Sequence, residues 1–144
     1  MVERLCFPQT DGGFMNNQQI VANRIITPDG TELQSYHVHD YQIHIDKNGH
    51  EYMVDGGTEY LRRNVCPIPY TEASIMSTDP HEQVRRHCAW GTRGKSGKLP
   101  VEWVKIKDLA TDHIENILMD GIGADWMRTI LAKEIEWRKH ENNR

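Results

Sequence analysis

The chain has 144 residues, a formal net charge of −4, 38% hydrophobic and 26% charged residues. That length and composition suit one soluble globular domain whose core needs no disulfide or metal staple. The acidic balance supplies no global field toward nucleic acid or an anionic membrane, so any anion site must be a local cluster, and no stretch reaches the roughly 20 apolar residues of a membrane span.

Residues 1–18 are weakly patterned and read as a loose arm, with 19–144 as a single α+β domain. MVERLCFPQTDGG has no signal-peptide pattern. Cys6, Cys66 and Cys88 form no C-x-x-C pair. Both features point to reduced thiols and a cytoplasmic protein.

From Gln19 to Arg63 the pattern is β. Pro28-Asp29-Gly30 reads as a turn between two strands. Asn48-Gly49 predicts a two-residue type I′ hairpin that pairs Ile45 with Tyr52, Ile43 with Val54 and Tyr41 with Gly56 on one face. Gln42, His44, Met53 and Asp55 then share the other. Gly56-Gly57 ends the second strand, and TEYLRRN follows as a short strand or turn. Residues 65–78, with Pro67 and Pro69 and no periodicity, read as a linker.

A helix is expected from DPHEQVRRHCAW, with Asp79 as N-cap, Pro80 at N1, Glu82 at N3 and Gly91 as its stop. VEWVKI alternates as a strand, with Val104 and Ile106 opposite Trp103. A second helix begins at a cap on Asp108 or Thr111, carries the stripe Ile114, Ile117 and Leu118, and breaks at Gly121 and Gly123. ADWMRTILAKEIEWRKHE predicts a third, with Met127, Ile130, Leu131 and Ile135 inward and Glu134 supporting Arg138. The expected architecture is α+β, a small antiparallel meander packed against about three C-terminal helices.

Ala89 to Ser96 spells A-x-x-x-x-G-K-S, a permissive phosphate-binding loop. That loop needs a strand before it and a helix after it. Here a helix is expected before, and Gly97 and Pro100 oppose a helix after. A glycine-rich turn between helix and strand is the plainer reading. Between the two stands a local anion surface, formed by Arg93, Lys95 and Lys98 near Arg85 and Arg86, with Trp90 among them.

His37 and His39 form H-x-H, which on a strand puts both imidazoles on one face and opens a zinc or other divalent metal site. Two half-buried histidines satisfied by hydrogen bonds explain the same pattern. Asp40, His44 and Asp55 make a second constellation, either a histidine poised between carboxylates for acid–base work or a polar sheet surface. Arg62 and Arg63 follow the Gly-Gly turn and, being adjacent on a strand, point to opposite faces. Trp126 and Trp137 suit a core or a subunit contact, and neither Cys66 nor Cys88 has an adjacent base in sequence.

The segments HDYQIHIDKNGHEYMVDGGTEYLRR and DPHEQVRRHCAWGTRGKSGKLPVEWVKIKDLATDHIENIL, with the later EIEWR, resemble a group of small accessory proteins of tailed bacteriophages. The resemblance covers about residues 28 to 138. It implies expression in the cytosol of an infected bacterium and binding to a host factor or antagonism of a host defence. The group brings no assigned chemistry and nominates no catalytic residue.

Together these readings favour a non-catalytic binding protein. Its partner would be a host protein or a phosphorylated small molecule such as a nucleotide signal. Arg62, Arg63, Arg86, Arg93 and Lys95 would then supply charge, and Trp90 or Tyr60 a stacking face. The alternative is a small metal-dependent hydrolase or nuclease built on the His37/His39 hairpin. A surface used only for assembly, including a homo-oligomer, is a third course. Neither a membrane nor nucleic acid is favoured as a partner.

Overall fold

The computed structural model describes residues 18–64, 69–94 and 96–143. The fold is α+β: small antiparallel sheets, then three helices toward the C-terminus. The chain divides into two compact units, Met1–Thr78 and Asp79–Arg144. Of the N-terminal arm expected over 1–18, only Gln18 falls within the described residues.

The first unit is built on β1 (Ile20–Ile26), whose side chains are nearly all buried. It pairs antiparallel with β2 (Glu32–Ser35), Ile25 opposite Leu33. The expected Pro28-Asp29-Gly30 turn joins them. Thr27 and Thr31 close it by a backbone bond of 2.9 Å, and Gly30 takes the positive φ of 90° that the bend requires.

β3 (Gln42–Ile45), β4 (Glu51–Asp55) and β5 (Arg62–Arg63) form the second sheet, a meander in that order. Ile25, Leu33, Tyr52 and Val54 make a buried cluster between the sheets, with Tyr70 against it. Each such side chain contributes about 1.5–3 kcal/mol by leaving water.

Two sequence expectations fail in this unit. Residues 65–78 are not simply a linker. Thr71–Glu72 (β6) and Ile75–Met76 (β7) pair with the free edge of β1, where a register shift separates Ile20 from Ala22. Strands of two residues are too short to show periodicity. Cys66 and Pro67 lie outside the described residues.

The hairpin register is also one residue away from the expected one. Ile45 pairs with Glu51, His44 with Tyr52, Ile43 with Met53 and Gln42 with Val54. The loop has three residues, because the Asp46 N–H donates to the His50 carbonyl at 3.0 Å and the Gly49 N–H to the Asp46 carbonyl at 2.9 Å. The Asp46 carboxylate accepts from the Asn48 and His50 N–H groups, both at 2.9 Å. An aspartate that binds its own turn in this way favours the longer loop over the two-residue one. With a side-chain period of two, the slip turns all of β3 over.

The second unit opens with α1 (His81–His87), which starts one residue later than expected. Pro80 is the N-cap, not N1, in place of the expected Asp79. Gly91 does not stop it either. The helix ends at Cys88, and Gly91 sits within β8 (Ala89–Thr92), directly opposite Trp103 of β9 (Glu102–Lys105). A side chain at Gly91 would meet the Trp103 ring at 3.0 Å, so the glycine serves close packing.

Ala89–Ser96 therefore begins in one strand of a β-hairpin, and the chain continues to the other strand without the helix a phosphate-binding loop needs. The glycine-rich turn joins strand to strand, where helix to strand was expected.

A 3-10 turn (Ile106–Asp108) leads to α2 (Thr111–Asp120) and α3 (Asp125–Asn142). Ala110 is the N-cap of α2, in place of the expected Asp108 or Thr111. Gly121 ends that helix at φ 67°, as the sequence indicated. Ile114, Ile117, Met127, Ile130 and Leu131 are buried, and Leu118 and Ile135 partly so. No helix among the described residues is long and apolar enough to cross a membrane.

Candidate functional site

The register of the second sheet decides what its outer face presents. Gln42, His44, Tyr52 and Val54 turn inward. Tyr41, Ile43 and Ile45 turn to solvent, 50%, 55% and 59% exposed, with Met53 half-buried beside Ile43. This is the reverse of a usual edge strand. The polar residues face the interior, and each is satisfied there. His44 Nε2 lies 2.8 Å from Asp29 Oδ2 and its ring stacks on Tyr52, while Gln42 Nε2 donates to Asp40 Oδ1 at 2.6 Å. Hydrogen bonds from Thr27 and then His44 hold the Asp29 carboxyl well below the usual carboxylate range.

At the far end of the same face lies a polar cluster. Arg62 is paired with Asp55 across β4 and β5, donates to the Tyr41 hydroxyl at 3.2 Å and stacks over the Tyr41 ring at 5.6 Å. Asp55 is fully buried. Its Oδ2 accepts from the Tyr60 hydroxyl at 3.2 Å and faces the Arg62 guanidinium at 3.6 Å, while its Oδ1 has no hydrogen-bond partner. Tyr60 also lies 3.4 Å from His39 Nδ1. Burial and the neighbouring Asp55 raise the Tyr60 hydroxyl above its ordinary pKa, which keeps it a proton donor. His39 holds a left-handed backbone at φ 66°, uncommon for a residue with a side chain.

The predicted site residues disperse. His37 and His39 are not on a strand, so the shared-face geometry behind the metal proposal is absent. They occupy a turn closed by the Asp40 N–H donating to the His37 carbonyl at 3.1 Å. Among the described residues, no group of three or more His, Cys, Asp or Glu side chains is placed to hold a metal. Asp40, His44 and Asp55 do not converge either. Asp40 accepts from the Tyr36 N–H and Gln42, His44 faces Asp29, and Asp55 belongs to the opposite face.

Arg62 is exposed and Arg63 buried, the opposite facing expected of neighbours on a strand. Arg63 donates to Asn23 Oδ1 at 2.6 Å, Glu72 Oε1 at 2.7 Å and Ser74 Oγ at 2.9 Å, which ties β5 to the first sheet. In the second unit Arg86 pairs with Glu82 at 3.0 Å, Trp90 is half-buried near Gly123, and Arg93 donates to the Leu99 carbonyl at 3.4 Å. Lys95 lies outside the described residues.

A cavity of about 720 Å³ in the second unit opens among Thr92, Val104, Asp108, Asp112, Asn116 and Asp120. No arginine or lysine lines it among the described residues, and its carboxylates repel an anion.

Sequence reasoning missed a buried carboxylate. Glu134 of α3 is fully buried and receives Arg85 Nε and Nη2, both at 2.8 Å, Arg138 Nε at 2.7 Å and His81 Nε2 at 2.9 Å. Arg85 also stacks over Trp137 at 5.3 Å. Burial raises the Glu134 carboxyl, but the hydrogen bonds from Arg85, Arg138 and His81 outweigh it, and its pKa lies below the ordinary value. The i,i+4 spacing to Arg138 was the one signal in the sequence. Cys88 is buried, and its thiol is pushed up to about 12 by that burial, so it is no nucleophile.

No family model matches the chain, and no curated protein or solved structure matches it either.

Proposed function

We propose that the protein is a non-catalytic binding protein that engages another protein through the outer face of its second sheet. One observation carries this reading: β3 turns Ile43 and Ile45 to solvent while its polar Gln42 and His44 are half-buried on the inner face. Exposed apolar residues gathered on one face mark interaction surfaces. Beside them stand Tyr41 and Arg62, of the residue types that most often anchor protein interfaces. Their stacking and hydrogen bond hold both side chains in place before a partner arrives, which lowers the ordering cost of binding. The partner would offer apolar side chains to Ile43 and Ile45 and an acceptor to Arg62. Resemblance to accessory proteins of tailed bacteriophages supports a host protein in that role.

The test is affinity capture from infected cells with the natural chain and with Ile43→Lys/Ile45→Lys, followed by binding of the purified partner. The double variant should fold and lose the partner. Undiminished binding by a folded double variant would reject the face. The phosphorylated-ligand version loses support because Arg63 is committed to three side-chain acceptors and Arg86 to Glu82. The hydrolase version loses the strand geometry of His37 and His39 on which it stood.

A further inference from the structure

The cavity of the second unit runs along one face of α2. Asp112, Asn116 and Asp120 line it, four residues apart and so neighbours on the helix surface. Ile117 of the same helix, Val104 of β9 and the half-exposed Ile122 supply an apolar lining. Its volume of about 720 Å³ falls among small-molecule sites, which run from about 300 to 1,000 Å³.

The carboxylates here are largely unanswered. Asp108 has the Lys107 ammonium at 3.0 Å, while Asp112 and Asp120 pair with no group among the described residues. Asp120 also stands at the negative end of α2, whose last turn holds no basic residue. A carboxylate there is unfavourable until a cation joins it. Arg128 donates to the Gly121 and Gly123 carbonyls and to Asp125, and it does not line the cavity.

We propose that this cavity binds a linear aliphatic polyamine. Eight residues at about 1.5 Å each separate Asp112 from Asp120 by about 12 Å along the helix axis. A terminal ammonium at each carboxylate leaves the methylene chain against Ile117 and Val104. An inner amine then falls beside Asn116, whose side-chain oxygen accepts from it. A small metal ion has no methylenes to bury and cannot span the two carboxylates. The net charge of −4 draws organic cations toward the chain. The site shares no residue with the outer face of the second sheet, so the two readings stand or fall separately.

Calorimetric titration of the full chain with spermidine tests the site. Binding should saturate at one molecule per chain, and spermidine should raise the unfolding temperature. Asp112→Asn/Asp120→Asn should weaken binding by about tenfold or more, because two charged hydrogen bonds are lost. Glu51→Gln/Glu59→Gln removes the same charge from exposed positions of the first unit and should leave binding as it was. Ethylenediamine, too short to reach both carboxylates, should bind about tenfold more weakly or worse. Ile122→Lys, which sets an ammonium at the exposed rim, should block the site with the circular dichroism spectrum unchanged.

Titration without saturable binding overturns the proposal. So does binding that ethylenediamine matches, or that both double variants weaken alike, since that is counterion attraction to an acidic surface. Tighter binding of trilysine than of spermidine also overturns it and gives the cavity to a basic protein segment.

Discussion

His44 lies opposite Tyr52 across the hairpin, their rings stacked with centroids 6.3 Å apart. An apolar/polar alternation would have set Ile45 there. The histidine is admitted because Asp29, at the β1–β2 turn, accepts from its ring at 2.8 Å. The price of the arrangement is two isoleucines left in water. Each isoleucine left in water forgoes about 1.5–3 kcal/mol of burial, so the Asp46 and Asp29 hydrogen bonds must supply much of what holds this register.

Asp46→Ala should therefore act on register as well as stability. The carboxylate accepts two backbone N–H groups at 2.9 Å and the Tyr52 hydroxyl at 3.2 Å. Losing it should cost about 1–3 kcal/mol, since the part-buried Tyr52 hydroxyl is left unpaired and two exposed N–H groups lose a charged acceptor. In the natural chain, Hα–Hα cross-peaks should join Ile43 to Met53 and Ile45 to Glu51, the unbonded pairs of the ladder. In the variant these should weaken. Intact cross-peaks with unchanged stability would show that the loop is not held by Asp46.

Gly57→Ala should be among the most damaging single changes in the first unit. Gly57 has φ 53°, and a side chain there would put its first carbon 2.4–2.6 Å from the backbone of His37. Its N–H donates to Ser35 Oγ at 2.9 Å, and Ser35 in turn donates to the Asp40 carbonyl at 2.8 Å. Backbone against backbone has nowhere to give, so a loss of about 3 kcal/mol or more is expected in urea unfolding. A loss below about 1 kcal/mol would mean that the His37–Asp40 turn moves freely.

What the sequence disclosed follows from what is local. The Pro28-Asp29-Gly30 turn, the β9 strand, the Gly121 stop and the stripe of α3 depend on neighbours within a few residues, and all were legible. The register of β3 was not. It rests on a competition between Asn48-Gly49 and an Asp46 side chain whose bonds are visible only in three dimensions. β6 and β7 were hidden because two-residue strands exist only through their pairing with β1. Of the outer-face site, Arg62 and Tyr60 were named for a phosphorylated ligand. Their true neighbours, Tyr41 and Asp55, depend on the register that was missed. The burial of Glu134 was hidden because Arg85 and His81 reach it from 49 and 53 residues away.

Glu134→Gln should destabilise the second unit by about 3–5 kcal/mol, because it leaves Arg85 and Arg138 without a buried counter-charge. The natural chain should show the same dependence on pH. The folded pKa of Glu134 lies below its ordinary value, so its contribution is complete above the unfolded pKa of about 4.3 and fades as pH falls toward the folded value. Denaturant unfolding followed by tryptophan fluorescence, with Trp137 stacked on Arg85, reads both effects. A variant as stable as the natural chain at neutral pH would remove Glu134 from the supports of this unit.

Tyr60→Phe separates the polar end of the outer face from its apolar strip. Asp55 is fully buried with one oxygen already lacking a partner, so the Tyr60 hydroxyl and the Arg62 guanidinium are what remain to hold the other. Removing the hydroxyl should cost about 1–3 kcal/mol, the desolvation of an under-bonded buried acceptor. It should also draw Arg62 toward Asp55 and away from the Tyr41 hydroxyl, since a carboxylate competes better than a phenol for a guanidinium. Partner binding should then weaken through Arg62 while Ile43 and Ile45 stay as they were. Arg62→Ala made in the Tyr60→Phe background discriminates. If the tyrosine acts through Arg62, the double variant should bind no worse than Arg62→Ala alone. Additive losses would instead mean that Tyr60 and Arg62 meet the partner independently.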